Sequence, residues 1–337
     1  MLPALAVAEA LQARGARVSF AGLPDRIEAQ LVAEAGYEFD PFESAGLPRR
    51  PGLQLARALV TAARAPAACL KILSRRRPDV VLGGGGYVSG PMVLAAALRR
   101  IPTGLLEADA HLGLANRLAA PLVDRVFLAV PIPGRDGAKY RVSGRPVPRR
   151  SRTVPPADAR RRFELPPDSP VLLVLGGSQG SLRLNELAVT HWSASGPVVL
   201  HICGRRDYPA LRGRVSRSGY RLLAFTDEIG AAYSAADLAL ARAGGSVWEL
   251  AAAGLPAVLV PYPYATADHQ TKNARHFEAA GGAVVVPEAE LERVPAIVDE
   301  LLRDGPRRDR MRDAMLRIAR ADAADEIAEE LVTLGSA

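Results

Sequence analysis

The chain has 337 residues, 49% of them hydrophobic, enough for two α/β domains that each bury a core. Lysine and arginine outnumber aspartate and glutamate by 43 to 36, a net charge of +7, and only Lys71, Lys139 and Lys272 are lysines. That balance favours anionic partners, but aromatics are 5% and no recognition motif accompanies the arginines, which argues against nucleic acid.

Residues 1–14 read as an amphipathic helix, with Leu2, Leu5, Ala8, Leu11 and Ala13 apolar and Gly15 as a stop. Strands are expected at 17–21 and 37–42, with a helix at 27–35 between them. A doubly wound domain ordinarily opens on a strand and a glycine turn, whereas this sequence opens on the helix. Residues 47–77 hold Arg49, Arg50, Arg57, Arg64, Lys71, Arg75, Arg76 and Arg77 and no acid. Arg50, Arg57, Arg64 and Lys71 are seven apart, so they form one stripe of a helix, with Leu59, Leu70 and Leu73 opposite. Such a helix either dips its apolar face into anionic lipid, or turns that face to the core and its arginines to water. Pro66 is expected to break or kink it.

A strand at 79–82 leads into the glycine turn 83–91, GGGGYVSGP, and a helix through Arg99. The strand 103–106 is followed by Glu107 and Asp109, acids at the end of a strand where α/β sheets bind ligands. Either acid also suits the N-cap of a helix at 112–119, Asp109 especially. Further strands are expected at 125–130 and 140–142. Around 145–156 the chain turns rich in proline and arginine and reads as a linker. The expected division is a first domain over 1–146, a linker at 147–157, a second domain over 158–322 and a C-terminal helix at 323–337. Residues 307–334 are helical and charged, a stretch that could run back across to the first domain. Cys69 and Cys203 match no metal or redox spacing and read as buried thiols.

The second half alternates strands (171–175, 198–202, 221–225, 238–241, 257–260, 283–286) with helices (229–235, 247–253, 270–280, 291–302), the pattern of a parallel sheet. Its central stretch is 171–185, VLLVLGGSQGSLRLN. An apolar strand is followed by Gly176, Gly177 and Gly180, then by a helix from Ser181 with Leu182, Leu184 and Leu187 for packing. Strand, glycine turn and helix start point backbone N–H groups and a positive dipole end at an anion such as a diphosphate; a tight turn without a ligand is the plainer reading. Ser178 and Gln179 add a hydroxyl and an amide there. Three further junctions, 225–229, 242–249 and 261–273, open on the same edge of such a sheet. Glu249 could accept the hydroxyls of a ribose, and Gln270 and Asn273 share a helix face and offer both donors and acceptors to a sugar.

In this order, the segments LPALAVAEAL, VVLGGGGYVSGP, GGSQGSLRLN and RAGGSVWELAAAGLPAVLVPYPYATADHQTKNA resemble the MurG family. Those glycosyltransferases move N-acetylglucosamine from UDP-N-acetylglucosamine to undecaprenyl-pyrophosphoryl-N-acetylmuramoyl-pentapeptide. The resemblance covers essentially the whole chain. It implies the α/β GT-B fold, two Rossmann-like doubly wound domains facing a central cleft. It implies an N-terminal domain that docks the lipid acceptor and the membrane, and a C-terminal domain that binds the UDP-sugar. On the donor side it points to Gly177, Ser178, Gln179 and Gly180 for the diphosphate and Glu249 for the ribose. Gln270 and Asn273 fall at the sugar end, the backbone near Thr226 and Ile229 at the uracil, and Gly245 and Ser246 elsewhere on the donor side. Gly85, Gly86, Tyr87, Ser89 and Asn116 fall on the acceptor side. Arg57, Arg64 and Lys71 fall where the family meets the anionic cytoplasmic leaflet, which implies a cytoplasmic protein, peripheral on the inner face of the bacterial membrane.

The chain departs from the family in four places. The family opens with a strand and GGTGGH before the PALA helix, and this sequence begins just after where that histidine would stand; Met1 is expected to be an internal methionine or a misassigned start. The family's H-E-Q-N is Leu106, Glu107, Ala108 and Asp109. Its G-N-P-V-R is Gly144, Arg145, Pro146, Val147 and Pro148, so Arg145 or Arg149 has to stand in for the nucleotide-side arginine. The segment from Ser246 to Glu249 is one residue shorter than usual. The implied chemistry is an inverting displacement with Glu107 or Asp109 as base; His111 is near but has no counterpart in the family. The sequence has no DxD motif, so neither a metal nor another cofactor is expected. The alternatives are a GT-B enzyme with another acceptor, a UDP-sugar 2-epimerase, or a nucleotide-sugar-binding subunit without catalysis.

Overall fold

A computed structural model describes residues 1–44, 53–109, 112–177, 180–265, 268–320 and 322–336, with the backbone alone for 27 and 53–60. The chain divides into two compact units, Met1–Pro148 with Asp322–Ala337, and Arg149–Ala321. The first contains α1 (Leu2–Ala13), β1 (Ser19–Gly22), α2 (Ile27–Glu34), β2 (Glu38–Pro41), α3 (Leu53–Arg76), β3 (Val81–Gly83), α4 (Gly86–Leu98), β4 (Thr103–Glu107), α5 (Leu114–Ala119), β5 (Arg125–Leu128) and β6 (Tyr140–Val142). The second contains α6 (Pro156–Arg162), β7 (Val171–Leu175), α7 (Leu182–Trp192), β8 (Val198–Ile202), α8 (Tyr208–Leu211), β9 (Tyr220–Leu223), α9 (Ile229–Ala235), β10 (Leu238–Ala241), α10 (Ser246–Ala252), β11 (Ala257–Leu259), α11 (His269–Ala279), β12 (Ala283–Val285), α12 (Val294–Arg303) and α13 (Gly305–Ile318). The last helix, α14 (Ala323–Gly335), returns to the first unit.

The second unit is built on one six-stranded parallel sheet in the order β12-β11-β10-β7-β8-β9. β7 and β10 are central, and every residue of each is buried, as a sheet covered by helices on both faces requires. Leu172 and Val174 pack with Leu184, Ala188 and Trp192 of α7 and with Val294, Val298 and Leu301 of α12. Leu182 does not join them and is 53% exposed. Residues two apart on a helix point roughly 200° from each other, so Leu182 and Leu184 cannot both face the sheet.

In the first unit β3-β4-β5-β6 form one parallel sheet and β1-β2 a separate one. α1 and α14 cover one face of the larger sheet through Val7, Leu106, Phe127, Ile327 and Leu331. Arg14–Asp325 and Arg125–Glu330 ion pairs fasten the first turn and the middle of α14. On the other side, α3 is a single helix that passes through Pro66. Pro66 costs it one backbone hydrogen bond, and the packing of Ala65, Cys69, Ile72 and Leu73 against Ala95 and Ala96 of α4 offsets that loss. Within the described side chains, the apolar face of α3 is therefore turned to the core, and Arg64 and Lys71 face solvent. Arg75 and Arg76 are committed elsewhere. Both bond the buried Asp40 at the end of β2, and hydrogen bonding from Arg76 foremost holds its carboxyl below the ordinary 3.8.

A fully buried polar chain lies under the second unit's sheet edge. His201 of β8 has Nδ1 2.7 Å from the Tyr220 hydroxyl and Nε2 2.9 Å from Asn185 Oδ1. An amide oxygen only accepts, so Nε2 carries the proton and Nδ1 accepts from the tyrosine. Asn185 Nδ2 donates in turn to Cys203 O and Asp207 Oδ2, each at 2.9 Å. Burial lowers the histidine's pKa from 6.5 to about 3, so the ring is neutral in the folded protein. Between those values the unfolded chain binds a proton that the folded one does not. The stabilisation is complete above pH 6.5 and is lost as pH falls. His201 is predicted to contribute about 1.4 kcal/mol of lost unfolding free energy per pH unit below pH 6. Denaturant titrations followed by Trp192 and Trp248 fluorescence will report that slope, and His201→Gln is expected to lack it; equal slopes would contradict the assignment.

Candidate active site

The carboxyl ends of β7, β10 and β11 place three loops side by side. The first is the glycine turn after β7, where Gly176 and Gly180 are fixed by close approach to other backbone. A Cβ on Gly176 would lie 2.2 Å from Ser181 N, and one on Gly180 would lie 2.2 Å from Cys203 O. Gly177 and Gly180 hold φ at 82° and 73°, and Gly180 N closes the turn on Gly177 O at 3.0 Å. The expected contacts Ser178 and Gln179 lie outside the described residues, as does His111. Ser181 occupies the N-cap position of α7 but gives the helix no side-chain cap. Its hydroxyl accepts instead from Arg242 Nε at 2.9 Å. The Ser181 side chain thus leaves the positive end of α7 uncapped.

Arg242 closes β10 and is only 7% exposed. Besides Ser181 it donates to Val260 O and Pro261 O at 3.2 and 3.3 Å, pairs with Glu288, and lies 5.5 Å from the centre of the Tyr262 ring. Tyr262 N in turn donates to Gln270 Oε1 at 3.0 Å. That bond fixes the amide, so the NH2 of Gln270 is the end left for a ligand. Asn273, one helical turn on, is 2% exposed, and neither Oδ1 nor Nδ2 has a hydrogen-bond partner among the described residues. Glu249 in the first turn of α10 is 9% exposed, and its Oε2 accepts from Ser151 Oγ and Tyr233 OH, both at 2.9 Å. The Thr226 hydroxyl accepts from Glu228 N at 3.1 Å, shaping the turn that leads to Ile229 at the start of α9. Gly245 and Ser246 form the start of α10, both half-buried.

In the first unit the two acids have different surroundings. Glu107 is 7% exposed and accepts from Gly113 N, Asn116 Nδ2 and Asp109 N at 2.9, 2.9 and 3.2 Å. It holds the backbone at Asp109 and at Gly113 and, through Gly113, the start of α5. Asp109 does not cap that helix; Gly113 stands at the N-cap position. Asp109 is the open acid, its side chain 41% exposed and 3.8 Å from Arg145 Nη1. Arg145 also donates to Ala108 O at 2.7 Å, so it belongs to this acid's surroundings in the first unit. Asn116 is 3% exposed and spends its Nδ2 on Leu106 O and Glu107. Gly85 and Gly86, at φ 90° and 74°, turn the chain into α4 beside Asn116. The Ser89 hydroxyl donates to Gly86 O at 3.0 Å, and the exposed Tyr87 accepts from Arg26 at 3.2 Å. Sequence reasoning gave no role to Arg242, Tyr233 or Ser151; an arginine directly after an apolar strand is the one signal it offered.

A second surface was not expected. Leu94 and Leu98 on α4, Leu114 and Leu118 on α5, and Leu122 just after it are 37, 65, 65, 68 and 45% exposed. The two helices pack together; Arg99 and Arg100 follow Leu98 in the chain, Arg117 precedes Leu118, and neither helix carries an acid. No helix among the described residues is long and apolar enough to cross a membrane.

The model of the glycosyltransferase family 28 N-terminal domain matches residues 1–128, and that of its C-terminal domain residues 171–328. The UDP-N-acetylglucosamine–N-acetylmuramyl-(pentapeptide) pyrophosphoryl-undecaprenol N-acetylglucosamine transferase of Salinibacter ruber is 40% identical over 98% of this chain and 93% of its own length. That of Halothermothrix orenii is 35% identical over 94% and 91%. The crystal structure of Acinetobacter baumannii MurG superposes with a TM-score of 0.74 at 27% identity, covering 98% of this chain and 95% of that one. Matches to both halves in sequence order and near-complete overlap with named relatives leave one conclusion: the chain belongs to glycosyltransferase family 28 and, within it, to the MurG family, with the GT-B fold.

Proposed function

We propose that the protein transfers N-acetylglucosamine from UDP-N-acetylglucosamine to undecaprenyl-pyrophosphoryl-N-acetylmuramoyl-pentapeptide in peptidoglycan synthesis. The observation that carries the donor half is the convergence of the 176–181 turn, Glu249 and Gln270 at one edge of the second unit's sheet. In this reading the diphosphate sits on the N-terminus of α7 at Gly177–Gly180, with Ser178 and Gln179 beside it. Glu249 Oε1 accepts from the ribose, and the turn 226–229 reads the base. The NH2 of Gln270 and the unpaired amide of Asn273 meet the sugar hydroxyls. An unpartnered buried amide costs about 1–3 kcal/mol, a cost that a hydroxyl-rich ligand removes.

The transfer is a single displacement with inversion. The acceptor hydroxyl attacks the anomeric carbon from the side opposite the diphosphate, and the bond to the diphosphate breaks. Backbone N–H groups and the dipole of α7 meet the charge that builds on the leaving oxygen. Asp109 takes the hydroxyl proton, and Glu107, whose lone pairs are occupied by three donors, holds the turn that presents Asp109. Gly85, Gly86, Tyr87 and Ser89 lie at the acceptor end. The membrane contact is the leucine surface of α4 and α5 with its arginines, joined by Arg64 and Lys71; the protein then sits peripherally on anionic lipid at the cytoplasmic face.

Glu249→Ala is expected to weaken UDP binding by about 1–3 kcal/mol in calorimetry, the range for a hydrogen bond to a charged group; an unchanged dissociation constant excludes the ribose role. Asp109→Asn should lower kcat by about 10²–10⁴ with UDP affinity retained, and a near-normal kcat would remove it as the base. Replacing Leu98, Leu114 and Leu118 together by serine should cut partitioning onto anionic vesicles about tenfold or more, from lost apolar burial. Equal partitioning would move the membrane contact elsewhere.

A further inference from the structure

The carboxylate of Glu249 is nearly buried without an ion pair among the described residues. Two hydroxyls replace the missing cation. Tyr233 lies within α9 and is 2% exposed; Ser151 lies in the short turn Arg149–Ser151 and is also 2% exposed. Both aim at the same oxygen, Oε2, at 2.9 Å. Burial, and next the Glu249 charge, push the Tyr233 phenol well above its ordinary pKa, so it stays a donor.

The placement of Ser151 is built in. A Cβ on Gly230 would lie 2.0 Å from Arg152 O, so only glycine lets the 151–152 backbone lie directly on α9. Val154 N then donates to Ser234 Oγ at 3.0 Å, one turn further along the same helix. α9 thus carries the tyrosine that holds Glu249 and the glycine and serine that seat the segment bringing Ser151.

Resting on the UDP-sugar reading above, we propose that Tyr233 and Ser151 are positioning residues for Glu249. They occupy Oε2, stop rotation of the carboxylate, and leave Oε1 as the oxygen presented to the two vicinal hydroxyls of the nucleotide ribose. A carboxylate has about four lone-pair sites, and these two donors consume half of them. What remains is one oxygen at a fixed angle, which suits a vicinal diol and discriminates against a sugar lacking one hydroxyl. Removing either donor frees the carboxylate to turn and blurs that discrimination.

The test compares UDP with 2′-deoxy-UDP by calorimetry on the full chain. Wild-type protein is expected to prefer UDP by about tenfold, the scale of one hydrogen bond at about 1.4 kcal/mol. Tyr233→Phe and Ser151→Ala should each bring the preference to within about threefold, mostly by weakening UDP. Ser151→Thr, which keeps a hydroxyl, should retain it. In a Glu249→Ala background, adding Tyr233→Phe or Ser151→Ala should change UDP affinity by less than twofold. A residue that only supports the fold would weaken both nucleotides equally and do so with or without Glu249, and either result overturns the proposal. Wild-type protein that binds UDP without preferring it overturns the positioning role alone. Wild-type protein that binds no UDP overturns this proposal together with the donor reading. Thermal unfolding of each variant separates loss of fold from loss of preference.

Discussion

The guanidinium of Arg242 ties together the edge of the sheet on which the candidate site is built. It bonds Ser181 after β7, the two carbonyls after β11 and Glu288 after β12. A buried cation left without partners would cost several kcal/mol, so these acceptors and the arginine hold one another in place. One consequence reaches the candidate site. Because Ser181 is turned toward Arg242, its side chain leaves the positive end of α7 uncapped. Another runs through Tyr262, which lies beside Arg242 and orients Gln270 from its backbone. A single charged side chain thus sets two of the three loops.

The same economy recurs across the molecule. Glu107 and Glu249 are both nearly buried carboxylates at sheet edges, yet the structure uses them differently. Glu107 receives donors on both oxygens and serves its own turn. Glu249 receives two donors on one oxygen. Counting occupied lone pairs separates a carboxylate that shapes a loop from one that has capacity left for a ligand. Asn185 and His201, though not carboxylates, likewise spend their polar atoms within the protein. Their chain of hydrogen bonds is closed within the protein and holds Cys203, the residue whose carbonyl lies against Gly180.

The two units also differ in how they treat apolar surface. The second buries its sheet between helices, with every residue of β7 and β10 enclosed. The first leaves five leucines of α4, α5 and the turn after it open to solvent. On the described half of α3, by contrast, the leucine face is buried and the basic face is outside. An amphipathic pattern in sequence is satisfied equally by a membrane and by a protein core, and only the neighbouring α4 decides which one it meets.

The sequence by itself determined the strand–helix alternation, the parallel sheet and the glycine turn, because these depend on local patterning. Five consecutive apolar residues, three glycines and a helix start are legible without knowing what surrounds them. Residue types with the right chemistry, such as Glu249, Gln270 and Asn273, could be read in the same way. Three things were decided only by the tertiary structure. The occupied oxygen of Glu249 depends on Tyr233 and Ser151, which are 16 and 98 residues away. The roles of Glu107 and Asp109 depend on which one the backbone N–H groups of Asp109 and Gly113 reach. The course of α3 through Pro66 depends on packing against α4. In each case the deciding partner is distant in sequence, and hydrogen bonds and burial are properties of neighbours in space.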